Sequence, residues 1–107
     1  MADSSQHNWK LELKYGRLKT PFTHFTLIID GIASNVEASF NCRDGRAFMA
    51  MKVWATSQDE AIDMARTIGP EIGFVVDGNI QLYDTEPEQP PGDNPHAYSI
   101  NFTPYEN

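Results

Sequence analysis

The chain has 107 residues, of which 40% are hydrophobic, and it carries a formal net charge of −7 at pH 7. This length and hydrophobic content predict a single domain, residues 1–107, with one core. The negative charge argues against direct binding to nucleic acid or to an anionic membrane, because phosphates would be repelled rather than neutralised.

The N-terminal segment predicts a short frayed stretch followed by a strand. Residues 1–8 are polar and are expected to be frayed. In WKLELKY, residues 9–15, apolar and charged residues alternate strictly, which predicts a half-buried strand with Trp9 in the core.

Three more strands are predicted before the middle of the chain. The β-branched and aromatic segment at residues 22–29 predicts one strand, and the Asp-Gly pair at 30–31 is a hairpin-turn signal. The parity of the apolar residues predicts the next strand over 32–40. A second Asp-Gly pair at 44–45 precedes residues 47–55, which are apolar on both faces apart from Lys52 and predict a central strand covered on at least part of both sides.

The clearest helix follows in TSQDEAIDMARTIGP, residues 56–70. Ser57 is suited to be its N-cap and Glu60 to be the reciprocal partner in a capping box. Gly69 is expected to take the left-handed position after the helix, where Pro70 prevents continuation.

Three further strands are predicted after the helix. Asp77 and Gly78 are expected to separate two short strands. Tyr98, Ile100 and Phe102 are expected to share one face of a last strand. We therefore predict an α+β fold with a mostly antiparallel sheet of about six or seven strands and one main helix packed on it.

Residues 84–96 are predicted to be a long, acidic, proline-rich loop. Because a strand follows, the loop is expected to be tethered rather than a disordered tail, and loops of this length are often functional or mobile. Pro87 and Pro90 have the spacing of a proline-rich docking peptide, but no basic residue flanks them, as such ligands normally require. Alternatively, the prolines only stiffen the loop.

The sequence lacks the common catalytic, nucleotide-binding and metal-binding motifs. His7, His24 and His96 do not have the spacing of metal ligands, and the loop acids beside His96 only faintly resemble an oxygen-rich cation loop. Cys42, the single cysteine, cannot form an internal disulfide and is expected to be a buried small hydrophobe rather than a nucleophile. We therefore predict a non-enzymatic protein without a cofactor or metal.

The expected location is the cytoplasm. The polar start of the chain has no apolar segment of the secretory-signal type, and no apolar run approaches the roughly 20 residues that cross a bilayer. A single cysteine fits a reducing compartment. The protein is expected to be a monomer or a homodimer.

Acidity is concentrated in the second half of the chain. Residues 1–54 carry seven basic and five acidic side chains, whereas residues 55–107 carry ten acids and only one basic residue. This half would attract and steer a basic protein, although the acids alternatively serve only solubility. The predicted partner-binding residues lie at the start of the helix, in the long loop and at the end of the central strand: Asp59, Glu60, Asp63, Asp84, Glu86, Glu88, Asp93 and Trp54.

Trp54 is the one aromatic residue in this predicted set. If its ring is partly exposed, it would provide an anchor for a partner. The alternative is that it covers the start of the helix.

In size, charge and architecture, the whole chain resembles the small acidic α+β immunity proteins that protect bacteria from their own polymorphic or contact-delivered toxins. The resemblance assigns no residue roles, but it implies a cytoplasmic inhibitor of a basic partner, a toxin and often a nuclease. A phage-encoded inhibitor of a nucleic-acid-binding defence complex would have similar features. The alternatives are a small-ligand-binding or enzymatic α+β domain, and a subunit that completes a partner's sheet through an edge strand.

Overall fold

The computed structural model describes residues 4–105, with side chains from residue 9 onward. The elements in this range are α1 (Ser4–Lys14), β1 (Thr23–Ala33), a 3-10 helix (Ala38–Phe40), β2 (Gly45–Ala55), α2 (Gln58–Glu71), β3 (Phe74–Asp84) and β4 (His96–Pro104). Among them, no helix is long and apolar enough to cross a membrane.

The strands form one antiparallel sheet in the order β3-β1-β2-β4. β1 and β2 pair along their full length, from Thr23 opposite Ala55 to Ala33 opposite Gly45. The α+β class and the central position of β2 are confirmed. The predicted sheet of six or seven strands with one main helix is wrong, because residues 4–105 contain four strands and two α-helices.

Two Asp-Gly pairs that were predicted to be turns lie inside long strands. A β-carbon on Gly31 would overlap the carbonyl oxygen of Val75 and lie 2.6 Å from the ring of Phe74. Gly78, with φ +135°, lies against the side chain of Asp30, where the pairing of β1 with β3 is irregular. These glycines permit close approach and a bulge rather than a chain reversal, so each predicted pair of short strands is one strand.

The strand predicted over residues 32–40 is wrong beyond Ala33, where β1 ends. The chain then passes through Asn35 (φ 63°), forms the 3-10 helix and leaves it at Asn41 (φ 54°). Asparagine tolerates the left-handed region better than most residues. The two asparagines are therefore typical of turns, but the alternation of apolar residues in this segment predicted a strand instead.

The strand predicted at residues 9–15 is also wrong, because this segment belongs largely to α1. Its leucines, lysines and glutamate are good helix formers, and it has no pairing strand in the sheet. Trp9 and Leu13, four residues apart, are half-buried, whereas Leu11 is 55% exposed. Trp9 therefore lies outside the main core.

The predicted fraying at residues 1–8 lies partly outside the described residues and stays a prediction. The backbone of residues 4–8 is helical, and residues 1–3 lie outside the described part of the chain.

The predicted start of α2 is confirmed, but its predicted end is wrong. The backbone N–H of Glu60 donates to the hydroxyl of Ser57 at 3.1 Å, and the Glu60 carboxylate accepts from the N–H of Thr56 at 2.6 Å. Gly69 is buried within the helix, which continues through Pro70. The left-handed residue that follows is Gly73, with φ +97°.

The core lies between α2 and one face of the sheet. Its fully buried side chains come from the central strands, β3 and α2: Leu27, Ile29, Met49, Met51, Val53, Ala61, Ala65 and Phe74. On the opposite face, Phe48 and Val75 are 39% and 52% exposed, whereas His24 and Trp54 at one end are buried. β2 is therefore covered on both faces only at that end, which is where the candidate site lies.

The predicted last strand is confirmed as β4, which pairs with β2. Its pairing is irregular around Ser99, which has φ 57°. This irregularity puts Tyr98 on the opposite face from Phe102. The expectation that these two aromatic residues share a face is therefore wrong, and Tyr98 becomes available to the candidate site.

Candidate functional site

One end of the sheet gathers four segments that are far apart in sequence. The start of β1 lies beside the end of β2, the end of β3 and the start of β4, since Trp54 is opposite both His24 and His96 and Phe25 is opposite Asp84. α2 begins three residues after β2 ends. We call this region the acidic end, and residues 85–95, which connect β3 to β4 here, the acidic loop.

All seven predicted acids belong to the acidic end. Six of them are exposed, and five of these six form no ion pair within the described residues: Asp59, Asp63, Asp84, Glu86 and Asp93. Glu60 is half-buried and caps α2. Glu88 is 65% exposed and forms an ion pair with Lys52 at 3.2 Å. The segments that carry these acids meet at one end of the sheet, and their contact with a partner stays a prediction.

Two acids outside this end form ion pairs. Asp30 and Asp77 each form an ion pair with Arg46 at 3.3 Å, and the hydroxyl of Tyr105 donates to Asp30 at 2.8 Å. At the acidic end, five of the six exposed acids form no ion pair within the described residues, and Glu88 is the exception. Within the described residues, the acidic end therefore carries five exposed carboxylates without an ion pair, and the rest of the molecule carries four, Glu12, Glu37, Asp44 and Glu71.

Trp54 lies beneath the acidic loop and not on the surface. The residue is 2% exposed, and its indole N–H donates to the carbonyl oxygen of Gln89 at 2.9 Å. The alternative in which its ring is partly exposed is therefore wrong. The ring covers the end of the sheet and fastens the loop, so it is not accessible to a partner in this conformation.

The side chains of His24 and Tyr98, which belong to the sheet, form hydrogen bonds with the backbone of the acidic loop. The Tyr98 hydroxyl oxygen lies 2.6 Å from Nε2 of His24 and accepts hydrogen bonds from the backbone N–H groups of Glu88 and Gln89 at 2.9 and 3.3 Å. Nδ1 of His24 lies 3.1 Å from the carbonyl oxygen of Thr85. The loop is therefore attached to the sheet at both Thr85 and Glu88–Gln89.

The surroundings of His24 favour its neutral form. Its pKa is lowered from 6.5, first because the ring is desolvated by burial and further because of the positive charge of Lys52. The hydrogen bond to Thr85 and the charge of Glu88 oppose this shift. The sequence indicated only that His24 lacks the spacing of a metal ligand, and it gave no sign of the contact with Tyr98, which depends on the irregularity at Ser99.

A cleft separates α1 from the acidic loop. Two adjoining grooves of about 350 and 340 Å³ share Leu13, Glu86 and Pro87 as lining residues. Lys10 and Lys14 of α1 line the first groove together with Glu86, so the charge here is mixed. The second groove reaches His24 and Trp54.

No arrangement for nucleophilic catalysis or metal binding is found in the described part of the chain. Both ring nitrogens of His24 are engaged in hydrogen bonds. Cys42 is half-buried, and burial raises the pKa of its thiol, which lowers the thiolate fraction. Among the side chains described, residues 9–105, no cluster of three or more His, Cys, Asp or Glu residues would hold a metal ion.

The chain matches no protein-family model, and neither a curated protein nor a solved structure shows significant similarity to it.

Proposed function

We propose that this chain is a non-enzymatic binding protein whose acidic end docks on a basic protein and neutralises it in the cytoplasm. The basic protein is a toxin, with a nuclease as the leading candidate, and the chain acts as its immunity protein. This assignment extends the resemblance in size, charge and architecture to small acidic immunity proteins.

The observation that carries the proposal is the set of five exposed carboxylates without an ion pair at the acidic end. The acidic loop is fastened to the sheet by Tyr98 and Trp54, so its acids are presented on an ordered support. An ordered loop loses less conformational entropy on binding than a free one. Negative potential on such a surface accelerates encounter with a cationic partner.

Charge reversal of two exposed acids tests the proposal. We expect the double replacement Asp84→Lys and Asp93→Lys to weaken association with the basic protein that co-purifies with the tagged chain on the order of tenfold at low salt. The wild-type complex should itself weaken when salt is raised to about 0.5 M. Surface plasmon resonance on the identified partner measures both effects.

The matched control is the double replacement Glu37→Lys and Glu71→Lys. Both acids are exposed and lie near each other at the opposite end, where Glu37 N–H donates to the Ile72 carbonyl oxygen. The change in net charge is the same, so the control should leave the affinity within about twofold. Equal loss in both variants, or a complex indifferent to salt, contradicts docking through the acidic end.

A second candidate function, small-ligand binding, is favoured by the cleft beside α1. Its volume of about 350 Å³ is near the lower limit for sites that bind small molecules. If a ligand fits there, a metabolite panel should include a compound that raises the melting temperature of the wild type. Leu13→Trp, which fills the cleft, should abolish that rise.

A further inference from the structure

We propose that His24 and Tyr98 form a proton-sensitive lock that holds the acidic loop on the sheet and releases it as the pH falls below neutrality. The lock is a property of the fold, and only its consequence for partner binding rests on the proposed function.

The hydrogen bonds at the Tyr98 hydroxyl fix the direction of its proton. Two backbone N–H groups, those of Glu88 and Gln89, donate to this oxygen. A phenol oxygen has one proton to donate and two lone pairs to accept. Its proton must therefore point to Nε2 of His24, 2.6 Å away.

The same hydrogen bonds determine the tautomer of His24. Because Nε2 accepts from Tyr98, the ring proton resides on Nδ1, which donates to the carbonyl oxygen of Thr85 at 3.1 Å. The hydroxyl of Thr85 is in turn 2.7 Å from that of Thr26. In the neutral state each of these groups is satisfied.

Protonation of His24 breaks this arrangement. Nε2 would then carry a proton directed at an oxygen that already accepts two N–H groups, and the phenol proton would lose its acceptor. The imidazolium would also be buried, because His24 is only 4% exposed. If the loop amides separate from Tyr98, both the crowding at the Tyr98 oxygen and the burial of the imidazolium are relieved. The loop is the part that moves, because Glu88 and Gln89 belong to a loop whereas His24 and Tyr98 belong to paired strands.

Some of the charged and titratable groups around His24 raise its pKa and others lower it. Lys52 on β2 and His96 on β4 disfavour the imidazolium, while Glu88 of the loop favours it. Asp84 of β3 and Glu86 of the loop line the adjoining groove with His24, and Tyr98 supplies the neutral hydroxyl. Burial outweighs the favourable contribution of Glu88, so the pKa of His24 is lower in the closed state than its ordinary value of 6.5.

The direction of the pH effect follows from this lowered pKa. The open state binds the proton more readily, so the lock contributes its full stability above pH 6.5, the ordinary value for histidine. That contribution is lost as the pH falls from 6.5 through the lower pKa of the closed state.

Hydrogen exchange between pH 7.5 and pH 5 provides the test. We expect the protection factors of the Glu88 and Gln89 amides to fall, by at most about tenfold per pH unit, as the pH drops from 6.5 to the lower closed-state pKa of His24, because one proton is taken up on opening. The amides of β1 and β2 should stay protected, which separates loop opening from global unfolding. The His24 ring signal in NMR should titrate over the same range.

Matched variants identify the groups responsible. Tyr98→Phe should reduce the protection of both loop amides about tenfold or more already at pH 7.5, whereas Tyr83→Phe, which removes an exposed hydroxyl that donates to Gln81, should not. His24→Asn cannot take up a proton, so loop protection should become independent of pH. His96→Asn should retain the pH dependence.

Two results would overturn the lock. One is exchange of the loop amides only together with those of β1 and β2 at every pH. The other is a full pH dependence in His24→Asn. If the loop opens on acidification while the basic partner stays bound with unchanged affinity, the lock stands and the role proposed for the acidic loop in binding is wrong.

Discussion

Replacement of Gly31 by alanine should destabilise the protein by about 3 kcal/mol or more. The added methyl group would overlap the carbonyl oxygen of Val75 and lie 2.6 Å from the ring of Phe74. A side chain can rotate away from such a contact, but the backbone of β3 is held by its pairing with β1. The overlap is therefore relieved only by separating the two strands.

Urea denaturation of Gly31→Ala measures this effect as a lower transition midpoint with an unchanged slope. Gly92→Ala is the control, because a β-carbon there meets its nearest neighbour, the ring of His96, at an ordinary 3.5 Å. We expect the control to change stability by less than about 0.5 kcal/mol. Equal stability of both variants would show that the β1–β3 contact is looser than described.

Replacement of Phe74 by alanine should cost about 3–5 kcal/mol. Phe74 is fully buried, and its ring lies 5.4 Å from that of Phe102, measured between ring centres. It also fills the space next to Gly31 and Gly69, where α2 and the central strand come closest to β3. Removing the ring leaves a cavity that these backbones are too constrained to close.

Val75→Ala is the matched control for Phe74→Ala. Val75 is the next residue in β3 but points to the opposite face, where it is 52% exposed. Truncation should therefore change the free energy of unfolding by no more than about 0.5 kcal/mol. A comparable loss in the two variants would mean that the Val75 face is also covered in solution, for example by a second copy.

These two sites also explain why the strand count was mispredicted. Asp30-Gly31 and Asp77-Gly78 have the composition of tight turns, and composition alone favours a reversal. In the fold, Gly31 is needed because Phe74, 43 positions later, packs against it. The close packing of Phe74 against Gly31 therefore outweighed the turn preference of the Asp-Gly sequence.

For the candidate site, too, the residue types could be predicted from the sequence, whereas their spatial arrangement could not. Its acids were identified from the charge distribution alone, since net charge per segment requires no coordinates. Their assembly at one end depends on the sheet order, which places the end of β2 between the start of β1 and the start of β4. Whether an acid is paired, as Glu88 is with Lys52, likewise depends on that order.

The features readable in the residues alone were those with short-range causes: the α+β class, the cap at Ser57, the central strand β2 and the acidity of residues 55–107. Each depends on side chains a few positions apart or on composition. Folding added the strand pairing, the helical state of residues 9–14, the burial of Trp54 and the contact of His24 with Tyr98, which are 74 positions apart. Contacts of this kind form only when distant segments pack together, so no local pattern in the chain encodes them.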